Sequence, residues 1–255
     1  MNIEFHIPVY NEERILEKNI TFLHDYCRKN FGFDWTIAIV VNGSTDGSRV
    51  ISERLAARYP ERIRAEYYPA AGRGGAIRSS WLKSRADIVS YMDVDLAVDL
   101  KNINDLVEPI LVDRADLVIG SRLLSNASIE RSFIRELVSQ SHLIISRLIH
   151  RHNFSDLQCG FKAVRRTAFA ALAPYIANKG WWFDTEAILL AKLFNYRIAE
   201  IPVIWSENRY DKRKSKVNLT TDSLNALFNL IKLRFRLTGL KNSLNINDKK
   251  TCVKY

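Results

Sequence analysis

The chain has 255 residues, of which 47% are hydrophobic, with six Pro, ten Gly and a formal net charge of +10. That is enough apolar material for one large core, and too little Gly and Pro for long linkers or low-complexity tracts. Cys27, Cys159 and Cys252 are scattered without a Cys-x-x-Cys pair, which argues against a zinc site or a disulfide framework and fits a reducing compartment.

Residues 3–9 open the chain as an apolar strand, with no basic segment ahead of them to suggest a secretory signal. Further strands are predicted at 36–41, 63–68, 88–93 and 117–121, and helices between them at 12–29, 48–59, 74–84 and 101–112. The alternation predicts an α/β sheet with helices on both faces. The turn Asn42-Gly43-Ser44-Thr45-Asp46-Gly47 falls between a strand and a helix. Ser44 or Asp46 can cap that helix, and the glycines permit a tight turn beside a ligand.

The second half changes character. Residues 129–150 read as a long helix in which apolar positions such as Phe133, Leu137 and Leu148 alternate with Arg131, Arg135 and Arg147. Residues 218–240 repeat the theme, with Leu230, Leu233 and Leu237 beside Lys232, Arg234 and Arg236. Such helices either pack their apolar stripe on the core or lie in a membrane interface. No window reaches 18 uninterrupted apolar residues, so no membrane span is expected. From Glu207 to Tyr255, twelve Lys and Arg face four Asp and Glu. That surplus suits nucleic acid, anionic lipid or phosphorylated ligands, or is simply a solvated tail.

The sharpest chemical signal is Ser90-Tyr91-Met92-Asp93-Val94-Asp95, a strand ending in two carboxylates. Ligands of open α/β sheets bind beyond the carboxyl ends of strands. Alternation along an extended chain would turn Asp93 and Asp95 to the same side. Two hard oxygen donors there can hold Mg²⁺ or Mn²⁺ against a diphosphate, although a lone Asp-x-Asp is more often a helix-capping loop.

These acids belong to an ordered set: Pro8-Val9-Tyr10-Asn11-Glu12-Glu13, Asn42-Gly43-Ser44-Thr45-Asp46, Gly72-Arg73-Gly74-Gly75, Asp93-Val94-Asp95 and Gly120-Ser121-Arg122. Asp156-Leu157-Gln158-Cys159-Gly160-Phe161-Lys162, Trp182-Phe183-Asp184-Thr185-Glu186 and Glu200-Ile201-Pro202-Val203 complete it. With that set, the chain resembles the inverting nucleotide-sugar glycosyltransferases of the dolichyl-phosphate hexose synthase type, and most of all the dolichyl-phosphate β-glucosyltransferases. The resemblance implies a GT-A fold, a mostly parallel central sheet flanked by helices, over residues 1–217. It also implies metal-dependent transfer of a hexose, glucose from UDP-glucose, to dolichyl or another polyprenyl phosphate with inversion.

Under that resemblance Pro8, Tyr10, Asn11, Glu12, Asn42 and Ser44 line the nucleotide pocket, and Arg73, Gly74 and Gly75 meet the diphosphate. Asp93 and Asp95 hold the metal, and Asp95, Asp156, Gln158 and Asp184 form the catalytic set about the sugar. Arg122, Arg131, Arg135, Arg209, Ser215 and Lys216 receive the acceptor phosphate, with Arg213 and Lys214 beside them. Alternative roles are helix capping for Asp184 and a buried structural amide for Gln158. Two departures stand out: Val41-Asn42 replaces a pair of acids, and Ala97 stands where related mannosyltransferases carry Gln. The first leaves base identity open; the second counts against a mannosyl donor.

The expected organisation is a catalytic domain to 217, a basic amphipathic helix over 218–240 that docks on a membrane, and a disordered polar tail over 241–255. The expected location is peripheral, on the cytoplasmic face of a membrane. Two rivals remain at this point: a transferase acting on a sugar hydroxyl, with Asp184 as general base, and a basic nucleic-acid-binding protein, for which no recognised motif exists.

Overall fold

The computed structural model describes residues 1–130, 133–206, 219–244 and 252–254, with the backbone alone at 129, 130, 133–139, 142, 219–226 and 252–254. Its centre is a sheet of eight strands: β1 (Asn2–Val9), β2 (Asp34–Asn42), β3 (Ile63–Tyr68), β4 (Ile88–Met92), β5 (Leu117–Ser121), β7 (Phe161–Arg165), β8 (Ile198–Pro202) and β10 (Cys252–Lys254). They lie in the order β10-β8-β5-β7-β4-β1-β2-β3, and β6 (Ser128–Glu130) pairs separately with β9 (Ile204–Ser206). Every pairing in the large sheet is parallel except those of β7, which runs antiparallel between β4 and β5.

Alternation along the strands builds a core on each face. On one face Ile3, Phe5, Ile7 and Val9 of β1 meet Leu16, Ile20 and Leu23 of α1 (Glu13–Asn30) and Ile103, Leu106 and Ile110 of α4 (Asn102–Leu111). On the other, Val89 and Tyr91 of β4 meet Ile77 and Trp81 of α3 (Arg73–Lys83), Phe169 of α6 (Arg166–Leu172) and Ile188 to Leu190 of α7 (Phe183–Leu193). A helix α2 (Ser48–Arg58) packs on β3, and α5 (Phe133–His150) and α8 (Leu219–Ser243) pack together at the far side.

Beneath α3 the second face of β1 is polar. Burial lowers the pKa of His6, so its ring is neutral, and its Nδ1 lies 2.8 Å from Ser80 Oγ of α3. Glu4, 3.2 Å from His6 Nε2, is held in turn by the Arg64 guanidinium at 2.6 and 2.9 Å. This network fastens α3, and therefore Arg73 at its first turn, to the sheet.

The strands and helices expected through residue 121 are present within a few residues of their expected bounds. The last helix continues to Ser243, and Cys252–Lys254 forms an edge strand beside β8; the rest of the tail expected over 241–255, residues 245–251 and 255, lies outside the described residues. A sheet edge with unpaired N–H and C=O groups recruits a short segment whatever the mean polarity of its neighbours.

The core-packing reading of the basic helices holds for one face of α8. Leu230, Leu233 and Leu237 of α8 are buried against the core, and Arg236 pairs with Glu186 of α7. Yet Phe228 (68% exposed), Ile231 and Phe235 (75%) form a second stripe that faces outward, beside Ile144 and Leu148 (75%) on the neighbouring α5.

His150 pins the α5–α8 seam, and His152 pins the segment that follows α5. The His150 ring N–H at Nε2 donates to the Leu230 carbonyl at 3.0 Å, and the Phe154 N–H donates to His152 Nδ1 at 3.2 Å. Burial pushes His150 down to about 4 and His152 down to about 3. Both are neutral in the fold but free to protonate once unfolded, so their contribution is complete above about pH 6.5 and is lost as the pH falls. Thermal melts should therefore show Tm dropping from pH 6.5 toward pH 4. His150→Gln, which keeps a donor for Leu230, should flatten that drop; an equally steep profile would remove His150 from the account.

Candidate active site

The carboxyl ends of β1, β2 and β4 converge with the start of α3 and the segment joining α5 to β7. At the first two, the loops are stitched together by side chains. The Asn11 N–H donates to Ser44 Oγ at 3.1 Å, the Glu12 N–H to Ser48 Oγ at 2.9 Å, and the Thr45 N–H to Asn11 Oδ1 at 2.8 Å. Asn11 takes a left-handed conformation with φ 56°, which an Asn side chain tolerates well. Pro8, Tyr10, Asn11, Glu12, Asn42 and Ser44 thus share one corner of the fold.

Asn42, expected in the nucleotide pocket, is fastened to the backbone on both sides. Its amide is buried, with Nδ2 donating to the Val9 carbonyl at 3.0 Å and Oδ1 accepting from the Gly72 N–H at 3.2 Å. Both polar ends are therefore engaged with backbone, and Asn42 ties the end of β1 to the loop before α3. A carboxylate at this position could not donate to Val9.

The glycines of that loop have a packing reason. A Cβ on Gly74 would lie 2.4 Å from Phe183 Cβ and 2.6 Å from the Gly180 carbonyl, and the Gly75 N–H already donates to the Lys179 carbonyl at 2.8 Å. Gly72 takes φ 149°, open to glycine. Gly74 and Gly75 let α3 sit directly on the start of α7. The Arg73 side chain leaves this loop toward Asp93 and Asp184.

Arg73 belongs to a buried ion cluster. Its guanidinium is 2.7 Å from Asp184 and 3.4 Å from Asp93, while Lys162 Nζ lies 3.4 Å from Asp184 on its other side. The Tyr91 hydroxyl donates to Asp184, and burial together with that carboxylate raises its pKa well above the ordinary value. Asp184 is nearly inaccessible at the first turn of α7, where its side chain makes no cap. Asp184, expected in the catalytic set about the sugar, lies instead in the closed interior of this cluster, against Arg73 and Lys162.

A second cluster adjoins it. Arg122 grips Asp156 through Nε at 2.7 Å and Nη2 at 3.2 Å, and the N–H groups of Gln158 and Cys159 donate to Asp156 at 2.9 and 3.1 Å. Burial would raise the Asp156 pKa, but Arg122 and these donors hold it below the ordinary carboxylate range. Asp156 is therefore held as a carboxylate whose oxygens are engaged by Arg122 and the loop that follows it. Gln158 is exposed, which removes its reading as a buried amide. It lines a small cavity of about 30 Å³ with Leu123, Leu143, Leu157, Trp182 and Leu230.

Asp93 is 45% exposed, whereas Val94 and Asp95 form a turn in which the Leu96 N–H donates to the Asp93 carbonyl and the Ala97 N–H to Asp95 Oδ1 at 3.2 Å. Strand alternation therefore does not set the relation of the two acids; the turn does. A Cβ on Gly160 would stand 2.2 Å from Asp93 Oδ2, so the missing side chain leaves the space that the carboxylate occupies. Among the described residues no group of three metal-ligating side chains occurs. Two hard carboxylates fit a Mg²⁺ or Mn²⁺ ion that draws its remaining ligands from diphosphate and water.

Of the expected acceptor residues, Arg131, Arg209, Arg213, Lys214, Ser215 and Lys216 lie outside the described residues, and Arg135 lies on α5 with its backbone alone described. Tyr91, Lys162 and Glu200 were not anticipated. Glu200, fully buried on β8, accepts from the Ser155 N–H at 2.7 Å and its hydroxyl at 2.5 Å, fixing the segment that carries Asp156. A Lys or Glu set within an apolar strand is the signal that could have found them, since such a charge needs a partner.

Replacing Gly160 with Ala tests the cradle. Gly160→Ala should fold with a modest fall in Tm but lose roughly 100-fold in turnover, because a displaced Asp93 misplaces what it binds. Near-normal turnover would show that the Asp93 position is not critical.

A mostly parallel sheet with one antiparallel strand inserted beside acids at a strand end defines a GT-A nucleotide-sugar transferase. The chain belongs to the glycosyl transferase family 2, whose model matches residues 5–172. It is 32% identical over 234 residues to "Glycosyltransferase AglD" of Haloferax volcanii, covering 91% of this chain but 37% of that one. It is 29% identical over 246 residues to the dolichyl-phosphate β-glucosyltransferase of Saccharomyces cerevisiae, covering 89% and 72%. Glucosyl-3-phosphoglycerate synthase from Mycobacterium tuberculosis, solved with uridine diphosphate, superposes with a TM-score of 0.62 at 19% identity, over 92% of this chain and 80% of that one.

Proposed function

We propose that this chain transfers a hexose, glucose from UDP-glucose, to the phosphate of dolichol or another polyprenol, with inversion and with Mg²⁺ or Mn²⁺ as cofactor. The observation that carries the choice of acceptor is the state of the candidate bases. Asp156 and Asp184 are buried and bound to Arg122, Arg73, Lys162 and Tyr91, so neither is open to take a proton from a sugar hydroxyl. A phosphate monoester needs none: with a second pKa near ~6 it arrives already ionised, an oxyanion nucleophile. Relatives named as dolichyl-phosphate β-glucosyltransferases support the same acceptor and sugar.

The charge balance supports a metal. Among the described residues, Asp93, Asp95, Asp156 and Asp184 give four carboxylates against the three cations Arg73, Arg122 and Lys162. A diphosphate would meet a site of its own sign. A divalent ion held by Asp93 and Asp95 would reverse that balance and stabilise charge developing on the leaving diphosphate. Arg73 orients the diphosphate from the start of α3. Asp184, by holding Arg73 and Lys162, keeps both cations in place.

Assay of purified protein with a short polyprenyl phosphate and a set of nucleotide sugars tests the whole reading. UDP-glucose with Mn²⁺ or Mg²⁺ should yield a lipid-linked sugar, and chelation, Asp93→Asn or Asp95→Asn should each cut the rate by orders of magnitude. Product formed equally well in excess chelator would end the metal assignment, and a glycan acceptor used in preference to the lipid phosphate would end the acceptor assignment.

The same reading includes docking on the cytoplasmic face of a membrane. No helix among the described residues is long and apolar enough to cross one, yet Phe228, Ile231 and Phe235 of α8 are exposed with Lys232 and Arg234 beside them. Near an anionic surface each such cation contributes on the order of 1 kcal/mol. Wild-type protein should cosediment with anionic vesicles at low salt and release as salt rises. Combining Phe228→Ser, Phe235→Ser and Lys232→Gln should abolish cosedimentation while donor binding persists. Arg236 is left intact in that variant because it pairs with Glu186. Unchanged cosedimentation would move the docking surface elsewhere.

A further inference from the structure

Trp181 is assigned no role by the sequence reading or by the function proposed above. It sits in the segment between Gly180 and α7, three residues ahead of Asp184, and is 70% exposed despite its large apolar ring. Its exposure is not that of a loosely held loop. Glu186 accepts from the N–H groups of Ala177 and Asn178 at 2.9 and 2.7 Å, Asn178 Oδ1 accepts from the Gly180 N–H at 2.8 Å, and the Lys179 carbonyl accepts from Gly75. The backbone leading to Trp181 is thus tied both to α7 and to the start of α3.

Among the described residues the ring has one aromatic or cationic partner. The Arg73 guanidinium lies 4.2 Å from its centre, while the same guanidinium is held by Asp184 and Asp93. A ring covered on one side by Arg73 and yet 70% exposed turns its other side to solvent. The neighbouring Trp182 faces elsewhere, lining the cavity with Leu143, Leu157 and Leu230. The two adjacent tryptophans therefore serve different sides of the Asp184 cluster.

We propose that Trp181 is a hexose-contact residue, its open ring face stacking on the C–H face of the sugar being transferred. The inference rests on the nucleotide-sugar reading of the site. In such a donor the hexose is bonded directly to the diphosphate, so a sugar whose phosphates meet Arg73 must lie beside the ring that covers Arg73. The C–H groups of a pyranose face are apolar and electropositive, which matches the negative face of an indole ring. Water leaves an exposed aromatic surface when the sugar arrives, adding apolar burial to the contact. Arg73 beneath the ring would then hold both the phosphates and the platform on which the sugar rests.

Calorimetric titration with UDP-glucose and with UDP, in the presence of Mn²⁺, tests this on wild-type protein, Trp181→Ala and Trp181→Phe. Because UDP lacks the hexose, its affinity should stay within about twofold in both variants, whereas Trp181→Ala should weaken UDP-glucose roughly tenfold. Trp181→Phe, which keeps an aromatic face, should retain most of the UDP-glucose affinity. If UDP and UDP-glucose weaken together in Trp181→Ala, the ring only shields Arg73 and the proposal fails. Unchanged affinity for both also overturns it. Wild-type protein that binds neither ligand would overturn the donor reading and this inference with it, whereas normal wild-type selectivity that survives in Trp181→Ala overturns this inference alone.

Discussion

One buried carboxylate, Asp184, organises the site. It joins α7 to the start of α3 through Arg73, to β7 through Lys162 and to β4 through Tyr91. Taking these charges from water is costly, and their mutual attraction offsets that cost only where the geometry and hydrogen bonds are complete. Removing one partner from such a group commonly costs ~3–5 kcal/mol because it strands the others. The arrangement therefore constrains four elements at once. It also explains why Gly74 must be small: α3 has to approach Phe183 and Gly180 closely enough for Arg73 to reach Asp184.

A second tier of contacts carries that constraint outward. Asn42 joins the end of β1 to the Gly72 loop, and the network of His6, Ser80, Glu4 and Arg64 fixes the far end of α3 to the sheet. Glu200 and Ser155 hold the segment that presents Asp156 to Arg122. Each link is a buried polar group with a defined partner, which favours one arrangement because any slip leaves a donor or acceptor unmatched. The site is thus built from strand ends tied to one another by buried polar contacts, with exposed groups such as Asp93, Gln158 and Trp181 at its surface.

The chemistry proposed for this site follows from what the buried pairs leave undone. Paired acids make poor bases, so the reaction suits a nucleophile that brings its own charge, and the excess of carboxylates over cations suits a donor that arrives with a metal. The outward stripe on α8, set against the inward stripe of Leu230, Leu233 and Leu237, gives one helix two apolar faces. The inner face holds the fold together, and the outer suits a lipid acceptor whose phosphate lies at headgroup level.

Much of this was legible in the residues. Alternation and turn residues located the strands and helices up to Ser121, and the order of short motifs named the family before any geometry was available. Asp93, Asp156 and Asp184 were marked as site residues because acids in those motifs have few other reasons to be there. Three things required the tertiary structure. Antiparallel β7 enters the sheet through pairing between distant segments, which local periodicity cannot report. Asn42, Arg122 and Asp156 carry the right chemistry for ligands, but the partners they meet in the fold lie 30 or 34 residues away, beyond the reach of local pattern. The two-faced character of α8 likewise depends on which neighbours cover it: residue spacing determines that Leu233 and Phe235 point apart, and only packing decides which of them meets the core.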